Sequence, residues 1–273
     1  MSFQILIVNS GIVASLLLLY SVLVFLIARI RHDNSVMDIA YGPAFFISAI
    51  VAAYITNTTS LLPAVVIGCI GLWSIRLSGR IFRKNFGKPE DARYARWREQ
   101  WMKKGRLYFL VRSYLQVNLL QLVIILFVSL PTILALSYPA QYSAVFLWIG
   151  SIVFAFGLLY ESVADYQLDQ FIARKKAGTE EADLMTQGLF KYSRRPNYFG
   201  ETMIWWGLAI MVFPLPFGYL AVISPLLITY IVTKVTGPML ENAFLEKYPE
   251  QYQRYIDTTS YFIPLPPKEN QPG

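Results

Sequence analysis

The stretch "ILIVNSGIVASLLLLYSVLVFLIA", residues 5–28, runs for 24 residues without a charge. At a rise of about 1.5 Å per residue, a helix of this length covers a hydrocarbon core of roughly 30 Å. No basic segment precedes it, and it is longer than the apolar region of a signal peptide. The stretch therefore predicts a retained transmembrane helix in an integral membrane protein.

The rest of the chain continues this apolar pattern. Of its 273 residues, 55% are hydrophobic and 15% are charged, which is typical of membrane proteins. Further apolar segments predict spans over Ile39–Tyr54, Leu61–Ile75, Tyr114–Leu136, Ala144–Ala164, Thr202–Phe213 and Phe217–Val232. The prediction is an all-α integral membrane protein with seven transmembrane helices, in a single membrane domain over residues 1–273 that ends in a disordered tail at 268–273.

The basic residues predict how these spans are oriented. All 24 Lys and Arg residues lie in every second connection along the seven crossings, and therefore on one side of the membrane. The other connections, "TNTTS", "SYPAQYS" and "PLPFG", contain none. Cytoplasmic loops collect Lys and Arg, so the N-terminus is expected outside and the C-terminus in the cytoplasm. The same bias accounts for the net charge of +7, and nucleic acid is therefore not an expected partner.

Cysteine and histidine are too scarce to build a metal site. The chain has one of each, Cys69 and His32. A disulfide within the chain and a thiolate cluster are both excluded by this count, and a single imidazole argues against a histidine-based centre. No metal is expected.

One cytoplasmic loop, residues 80–106, has the pattern of an amphipathic helix. Arg93, Arg96 and Trp97 recur at helical spacing, with Tyr94 and Trp101 between and beyond them. This pattern predicts an interfacial helix lying on anionic lipid. A catalytic role for the arginines is the weaker alternative.

Polar residues within the spans are candidates for chemistry, because charge at mid-bilayer is unfavourable without a partner. Asp38 and Tyr41 share one face of the second span, where a carboxyl and a phenol together suit donation to a substrate carbonyl. Equally, Asp38 could cap the helix and Tyr41 could belong to an interfacial belt. Tyr114, Asn118 and Gln121 form a polar stripe on the fourth span, which predicts interhelical hydrogen bonds or the lining of a cavity.

An acidic row ends the fifth span. Glu161, Asp165 and Asp169 are spaced by four residues and therefore share a helix face. Because like charges at this spacing repel, a cation or a hydrogen-bond donor is expected against them. Either Arg194 and Arg195 form ion pairs with the row, or the ribose hydroxyls of a nucleotide donate to it.

Basic residues follow the acidic row. Arg174, Lys175 and Lys176 lie in the cytoplasmic segment after the fifth span, and two arginines stand at 194–195. Guanidinium and ammonium groups bind phosphates, so a nucleotide is one interpretation. The positive-inside bias explains some of these residues equally well.

The stretch "SRRPNYFGE", residues 193–201, places polar groups at the start of an apolar run. Its proline biases Arg195 away from helix, Asn197 is expected to cap the helix, and Gly200 permits close approach of a backbone or a flat ligand. A helix cap with snorkelling arginines explains most of these residues. It does not explain Glu201, whose burial would need a partner.

Several segments resemble the steroid 5α-reductase-like superfamily, and its bacterial branch in particular. They are "DYQLDQF" (165–171), "GLFKYSRRPNYFGE" (188–201) and "PMLENAFLEKYPEQYQRYIDTTSYFIPLPP" (238–267), supported by "NFGKPEDARYARWREQW" (85–101) and "VNLLQLVIILFVSLP" (117–131). The resemblance implies a seven-helix membrane fold that holds NADPH in a cavity open to the cytoplasm. It also implies hydride transfer to the carbon–carbon double bond of an enone in a steroid-like or other lipid substrate.

The resemblance also implies site residues, most of them within 160–267. Glu161 and Asp165 match an asparagine and an aspartate of the family's cofactor pocket, Asn197 and Glu201 match its asparagine and glutamate, and Arg174 matches a phosphate-binding arginine more loosely. The expected cofactor-binding set is Glu161, Asp165, Arg174, Arg194, Arg195, Asn197, Tyr198, Glu201, Glu241 and Tyr248.

Two departures from the family pattern concern the substrate side and Arg195. The Gln-Glu pair and the tyrosine that grip a steroid ketone are not found, and Asp38 with Tyr41 is the nearest candidate catalytic pair. Relatives of the bacterial branch often have histidine where this chain has Arg195.

The resulting prediction is an NADPH-dependent reductase in a bacterial inner membrane, with its active site facing the cytoplasm and a lipid-like substrate. One alternative is an S-adenosylmethionine-dependent methyltransferase of the isoprenylcysteine or phospholipid type. Such enzymes share an Arg-x-Pro-x-Tyr-x-Gly-like turn, here residues 194–200, and a terminal Glu…Tyr…Tyr…Pro pattern, here 241–264. Another alternative is a non-catalytic, lipid-binding relative.

Overall fold

The computed structural model describes residues 2–268, and the regular elements in that range are all helical. The α-helices are α1 (Ser2–Arg31), α2 (Val36–Ile55), α3 (Leu61–Asn85), α4 (Ala92–Met102), α5 (Arg106–Ser113), α6 (Leu120–Val128), α7 (Leu130–Ser137), α8 (Ala144–Lys176), α9 (Pro196–Val212), α10 (Ile223–Tyr230), α11 (Gly237–Lys247) and α12 (Pro249–Thr258). The predicted all-α class is confirmed over these residues. Of the predicted tail, residues 269–273 lie outside the described part.

Within residues 2–268, six continuous helical segments are long and apolar enough to cross a membrane. They occupy Phe3–Arg31, Val36–Ile55, Leu61–Asn85, Arg106–Val128, Ala144–Lys176 and Gly218–Lys247. The seventh expected span, Thr202–Phe213, falls within α9 except for its last residue, and α9 has 17 residues. The seventh crossing and the orientation of the termini remain predictions.

A proline changes the fourth predicted span. The sequence predicts Tyr114–Leu136, but the long helix runs over Arg106–Val128 and α7 begins at Leu130. Pro131 cannot donate a backbone hydrogen bond, and its ring clashes with the preceding turn of a continuing helix. Every residue from Pro131 to Ser137 is buried. The segment therefore packs against its neighbours α1 and α3 instead of extending the span.

The described chain consists of two compact units. The first unit comprises residues 2–147 and 211–221, and the second comprises residues 148–210 and 222–268. The predicted catalytic and cofactor-binding residues fall in different units. Asp38 and Tyr41 belong to the first unit, and the predicted cofactor-binding residues belong to the second.

Small residues and hydrogen bonds join the helices of the first unit. A Cβ atom at Gly42 of α2 would lie 3.2 Å from Cα of Ser74 on α3, so a larger side chain would push the two helices apart. The hydroxyl of Tyr20 on α1 donates to the carbonyl oxygen of Ala40 on α2 at 2.9 Å. Close packing and interhelical hydrogen bonds are what hold helices together in lipid.

The polar stripe predicted on the fourth span begins on a π-helical turn, Tyr114–Leu119. The hydroxyl of Tyr114 lies 3.4 Å from the hydroxyl of Ser21 on α1. The side-chain amide of Asn118 instead donates to the carbonyl oxygen of Ser113, at 3.5 Å. Interhelical hydrogen bonding is thus confirmed for the first residue of the stripe.

Glycines bring α8 and α9 of the second unit into main-chain contact. A Cβ atom at Gly157 would lie 2.6 Å from the backbone nitrogen of Ile204, and one at Gly207 would lie 2.5 Å from that of Phe154. No side chain fits at either position without separating the helices. This contact sets the spacing between the acidic row on α8 and the first turn of α9.

A C-terminal strap, residues 259–265, runs beside the stretch that precedes α9. The backbone N–H of Arg194 donates to the carbonyl oxygen of Ser260 at 2.8 Å. The hydroxyl of Ser193, which is fully buried, donates to the carbonyl oxygen of Phe262 at 2.9 Å. These bonds fix the chain immediately before the predicted site.

Tyr261 of the strap satisfies a carbonyl that a second π-helical segment, Ile231–Thr236, leaves open. In this segment the backbone bonds span five residues, as between the N–H of Gly237 and the carbonyl of Val232. The residue five positions after Thr233 is Pro238, which has no N–H. The hydroxyl of Tyr261 donates to the Thr233 carbonyl oxygen at 3.0 Å instead.

Candidate functional site

Two carboxylates of the acidic row are buried in the second unit. Glu161 and Asp165 are 6% and 5% exposed, whereas Asp169 at the end of the row is exposed. Burial of a carboxylate is unfavourable unless a donor compensates it. The side-chain amide of Asn197 donates to Oδ1 of Asp165 at 3.4 Å. The donor expected against the row is thus a carboxamide of α9, and the structure brings two predicted site residues together.

Gly200 places the first turn of α9 directly on Glu161. A Cβ atom at position 200 would lie 2.7 Å from both the Cβ and the backbone nitrogen of Glu161. The expected close approach of another backbone is therefore confirmed, and the approaching backbone is that of α8. The glycine fixes the separation at which the amide of Asn197 can reach Asp165.

Asn197 does not cap α9, contrary to expectation. The helix begins at Pro196, and its first bond runs from the N–H of Phe199 to the carbonyl oxygen of Arg195 at 3.2 Å. Arg195 therefore occupies the cap position. Proline at the first helical position is already in helical geometry and has no N–H to satisfy, which leaves the Asn197 side chain to interact with α8.

Glu201 has an indole partner one turn further along α9. Nε1 of Trp205 donates to Oε1 of Glu201 at 2.8 Å, and Trp205 is fully buried. Glu201 is half-buried, and one of its partners thus lies on its own helix. This bond holds the carboxylate in one direction beside the apolar run.

Arg194 is the centre of a buried clamp. Its Nε and Nη2 donate to the two carboxylate oxygens of Glu241 at 2.8 and 3.2 Å, and its Nη1 donates to the carbonyl oxygens of Ile256 and Thr259 at 3.2 and 2.6 Å. The residue is 7% exposed. Bidentate guanidinium–carboxylate pairs are among the strongest hydrogen-bonded contacts. Arg194 and Glu241, both predicted to bind cofactor, are therefore joined to each other.

Arg195 faces aromatic groups. Its Nη2 donates to the hydroxyl of Tyr252 at 3.3 Å, and its Cζ lies 6.0 Å from the ring centroid of Tyr198 and 5.7 Å from that of Phe244. The Tyr252 hydroxyl in turn donates to Oε1 of Glu241 at 3.2 Å. Burial raises the pKa of Tyr252 to about 12, so the phenol stays protonated and can serve as this donor.

The basic group that ends α8 is partly neutralised by the loop that follows it. Nε of Arg174 lies 3.0 Å from Oε2 of Glu180, and Nζ of Lys175 lies 2.7 Å from Oδ1 of Asp183. The hydrogen bond from Lys175 and its positive charge lower the pKa of Asp183. These ion pairs fold the loop back onto the helix end.

Tyr248 lies at the junction of α11 and α12 and packs against a small core. That core consists of Leu184, Tyr252 and Tyr255, with Phe244 among the residues packed around it. The structure thus places Tyr248, a predicted cofactor-binding residue, against a hydrophobic cluster.

In the first unit, Asp38 is bonded to α4. Its Oδ1 accepts from the hydroxyl of Tyr94 at 2.6 Å and its Oδ2 accepts from Nη2 of Arg93 at 3.3 Å. The ring of Tyr41 lies 5.3 Å from that of Phe45 and 6.4 Å from that of Trp73. The loop helix predicted over residues 93–101 is confirmed, and it supplies partners for Asp38 that the sequence interpretation missed.

Replacing Tyr94 by phenylalanine tests the bond to Asp38. The substitution removes the donor at 2.6 Å and leaves Arg93, whose side chain is 55% exposed, as the remaining described partner. Loss of a hydrogen bond to a charged group is expected to lower the free energy of unfolding by about 1.5–3 kcal/mol. Denaturant-induced unfolding of the protein in detergent measures this quantity. Tyr108→Phe is the matched control, expected within about 0.5 kcal/mol of the parent; equal losses in both variants would contradict the assignment.

The residues that sequence reasoning missed are mostly tyrosines. Tyr252 and Tyr255 follow Tyr248 at spacings of four and three, which is a helix-face signal that could have identified them. No such signal existed for Tyr94, which meets Asp38 across 56 residues of sequence. Only the fold brings those two side chains together.

Fold and site define the class of protein. It is an all-α membrane protein, whose second unit carries a buried carboxylate–amide pair and a buried guanidinium clamp. The chain belongs to the family described as "Protein of unknown function (DUF1295)", which it matches over residues 24–259. This family is a steroid 5α-reductase-like family.

One relative lies in fission yeast. The chain is 29% identical over 218 residues to "Uncharacterized protein C594.04c" of Schizosaccharomyces pombe, and the match covers 71% of this chain. It covers 60% of the yeast protein, so the chain spans less than two thirds of that relative's length. No solved structure matches the chain significantly.

Proposed function

We propose that the protein is an NADPH-dependent reductase that acts on the conjugated carbon–carbon double bond of a steroid-like or other lipid substrate. The observation that carries the proposal is the bond between Asn197 and Asp165 at 3.4 Å, next to the contact of Gly200 with Glu161. Membership of a steroid 5α-reductase-like family supports it. The finer placement within the bacterial branch of that superfamily is part of the proposal.

The chemistry of the residues present fits a dinucleotide. Carboxylates such as Glu161 and Asp165 accept hydrogen bonds from ribose hydroxyls. The carboxamide of Asn197 both donates and accepts, and guanidinium groups pair with phosphates. When bound, NADPH would supply the hydride. The chain's own contribution would be to orient the cofactor against α8 and the first turn of α9 and to exclude water there.

On the substrate side, we propose that Tyr41 donates a hydrogen bond to the carbonyl oxygen as negative charge develops on it. Donors fixed in advance are the main way in which proteins stabilise such charge. Phe45 and Trp73 flank the Tyr41 ring and would suit an apolar substrate. Asp38, held by Tyr94 and Arg93, would act on this region through its charge.

We also propose that α9 is the seventh crossing, with the N-terminus outside and the active site facing the cytoplasm of a bacterial inner membrane. The alternation of all 24 basic residues supports this arrangement. At about 1.5 Å per residue, the 17 residues of α9 fall short of a hydrocarbon core of roughly 30 Å. A crossing by α9 would therefore thin the bilayer locally, as short spans do.

Nucleotide binding by the purified protein tests the proposal. NADPH at 100 times its dissociation constant is expected to stabilise the folded protein by about 2.7 kcal/mol, measured as a shift in thermal unfolding. Asn197→Ala is expected to weaken NADPH binding about 5–30-fold, since it removes a side chain that orders the carboxylates. Asn242→Ala, an exposed residue of α11, is the matched control.

Three outcomes would count against the proposal. If NADPH does not stabilise the unaltered protein, the proposed NADPH-dependent activity is contradicted. Stabilisation by S-adenosylmethionine without stabilisation by NADPH would favour the methyltransferase instead. NADPH binding without turnover of any enone lipid would point to the non-catalytic relative.

A further inference from the structure

Five basic residues of the second unit were candidates for binding a phosphate. They differ in whether a carboxylate is already paired with them. Arg174 is paired with Glu180 and Lys175 with Asp183. Arg194 is paired in bidentate fashion with Glu241 and also bonded to two carbonyl oxygens. To bind a phosphate, each of these three would first have to give up a carboxylate. The remaining two are Lys176 and Arg195.

Lys176 and Arg195 differ in how far they are fixed. Lys176 is exposed at the last position of α8, where its ammonium group is hydrated and mobile on a flexible stem. Arg195 is half-buried, and its Nε is fully buried without a hydrogen-bond partner among residues 2–268. The contacts described for its guanidinium are a phenol and two aromatic rings, and none is a carboxylate.

The described contacts of this guanidinium include no carboxylate directly, and Glu241 is reached only through the Tyr252 hydroxyl. Removing a cation from water is unfavourable unless an opposite charge accompanies it, and contact with aromatic faces offsets only part of the loss. The rings of Tyr198 and Phe244 nevertheless hold the group in place, and Tyr252 holds its Nη2. A guanidinium that is held in place without a directly paired carboxylate can bind a ligand that brings its own negative charge.

The position of Arg195 in the chain adds a second attraction for anions. It is the residue immediately before α9, a helix of 17 residues. The first N–H groups of a helix have no intrahelical partner, and the helix dipole favours negative charge at that end. Asn197, two residues further on, contacts Asp165. The first turn of α9 therefore presents a cation on one side and a carboxylate–amide pair on the other.

We infer that Arg195 is the phosphate-binding residue of the second unit, and that the arginine beside it, Arg194, serves to hold the strap. The inference rests on the proposed NADPH function. The chemistry recognised is a phosphate ester, which in NADPH occurs both as the 2′-phosphate and as the diphosphate. Bidentate pairing of a guanidinium with two phosphate oxygens supplies the contact.

Arg195→Gln in the full chain tests this inference by isothermal titration with three probes: NADPH, NADH and inorganic pyrophosphate. The variant is expected to bind NADPH about 10–100-fold more weakly than the parent, and Arg195→Lys is expected to recover part of the loss. Unchanged NADH affinity would assign Arg195 to the 2′-phosphate. A parallel loss for NADH and pyrophosphate would assign it to the diphosphate. Arg254→Gln, whose side chain is 80% exposed in the same unit, is the matched control and is expected to bind as the parent does.

The outcomes separate this inference from the proposed function. NADPH binding that is unchanged in Arg195→Gln, or lost instead in Lys176→Gln, would overturn the inference and leave the reductase proposal standing. Pyrophosphate binding that depends on Arg195, in a protein that does not bind NADPH, would support the phosphate site and overturn the reductase. Thermal unfolding of each variant without ligand shows whether the variant is folded. If Arg195→Gln does not fold, the affinities of Arg195→Lys test the inference instead.

Discussion

Replacing Arg194 by alanine is expected to lower the free energy of unfolding by about 3–5 kcal/mol, because it removes the buried member of an ion pair and leaves the partly buried carboxylate of Glu241 without its guanidinium. The substitution removes both hydrogen bonds to Glu241 and those to the carbonyl oxygens of Ile256 and Thr259. The strap would lose its side-chain bond from Arg194 at Thr259, while its bonds to the backbone N–H of residue 194 and to Ser193 would remain. Denaturant-induced unfolding in detergent, followed by tryptophan fluorescence, measures the change.

Two further variants identify the cause of that loss. Arg254→Ala breaks a solvent-exposed pair with Glu250, in which the closest atoms are 3.9 Å apart, and is expected to change stability by less than about 0.5 kcal/mol. The double variant Arg194→Met with Glu241→Leu removes both charges and is expected to be more stable than Arg194→Ala. A double variant as unstable as the single one would show that the charge left on Glu241 is not the cause.

The second large effect is expected at Gly200. In Gly200→Ala, the new Cβ atom would lie 2.7 Å from the Cβ and the backbone nitrogen of Glu161. Backbone atoms cannot rotate out of the way, so α8 and α9 must separate. Overpacking of this kind is expected to lower the free energy of unfolding by about 1–3 kcal/mol, and Gly200→Val by more. Separation would also lengthen the 3.4 Å contact between Asn197 and Asp165, so NADPH affinity should fall with stability.

Gly79→Ala is the matched control for that experiment. Gly79 lies within α3, and no atom would come within 4 Å of a Cβ atom placed there. Alanine is the better helix former by about 1 kcal/mol, so this variant is expected to be as stable as the parent or more so. Equal losses at positions 79 and 200 would contradict close packing as the reason for glycine at 200.

Where the site could be predicted, the signal was local. Spacing by four placed Glu161 and Asp165 on one face of a helix, and composition marked residues 193–201 as unusual for the start of an apolar run. Pairing across the chain was not predictable in the same way. Arg194 was considered as a partner for the acidic row, but it meets Glu241, which is 47 residues away in sequence. Charge alone does not determine which of several carboxylates pairs with an arginine, because the pairing depends on the distance between the side chains in the folded chain.

By itself, the sequence determined the class of the protein and most of its spanning segments, because the length of an uncharged apolar run and the periodicity of a helix are properties of adjacent residues. It also pointed to the α8 and α9 residues that meet. Tertiary structure alone decided which arginine is neutralised, which one faces aromatic rings, and that Asp38 is bonded to Tyr94. These facts depend on side chains that are distant in sequence, and hydrogen bonds form only where packing brings donor and acceptor to about 3 Å.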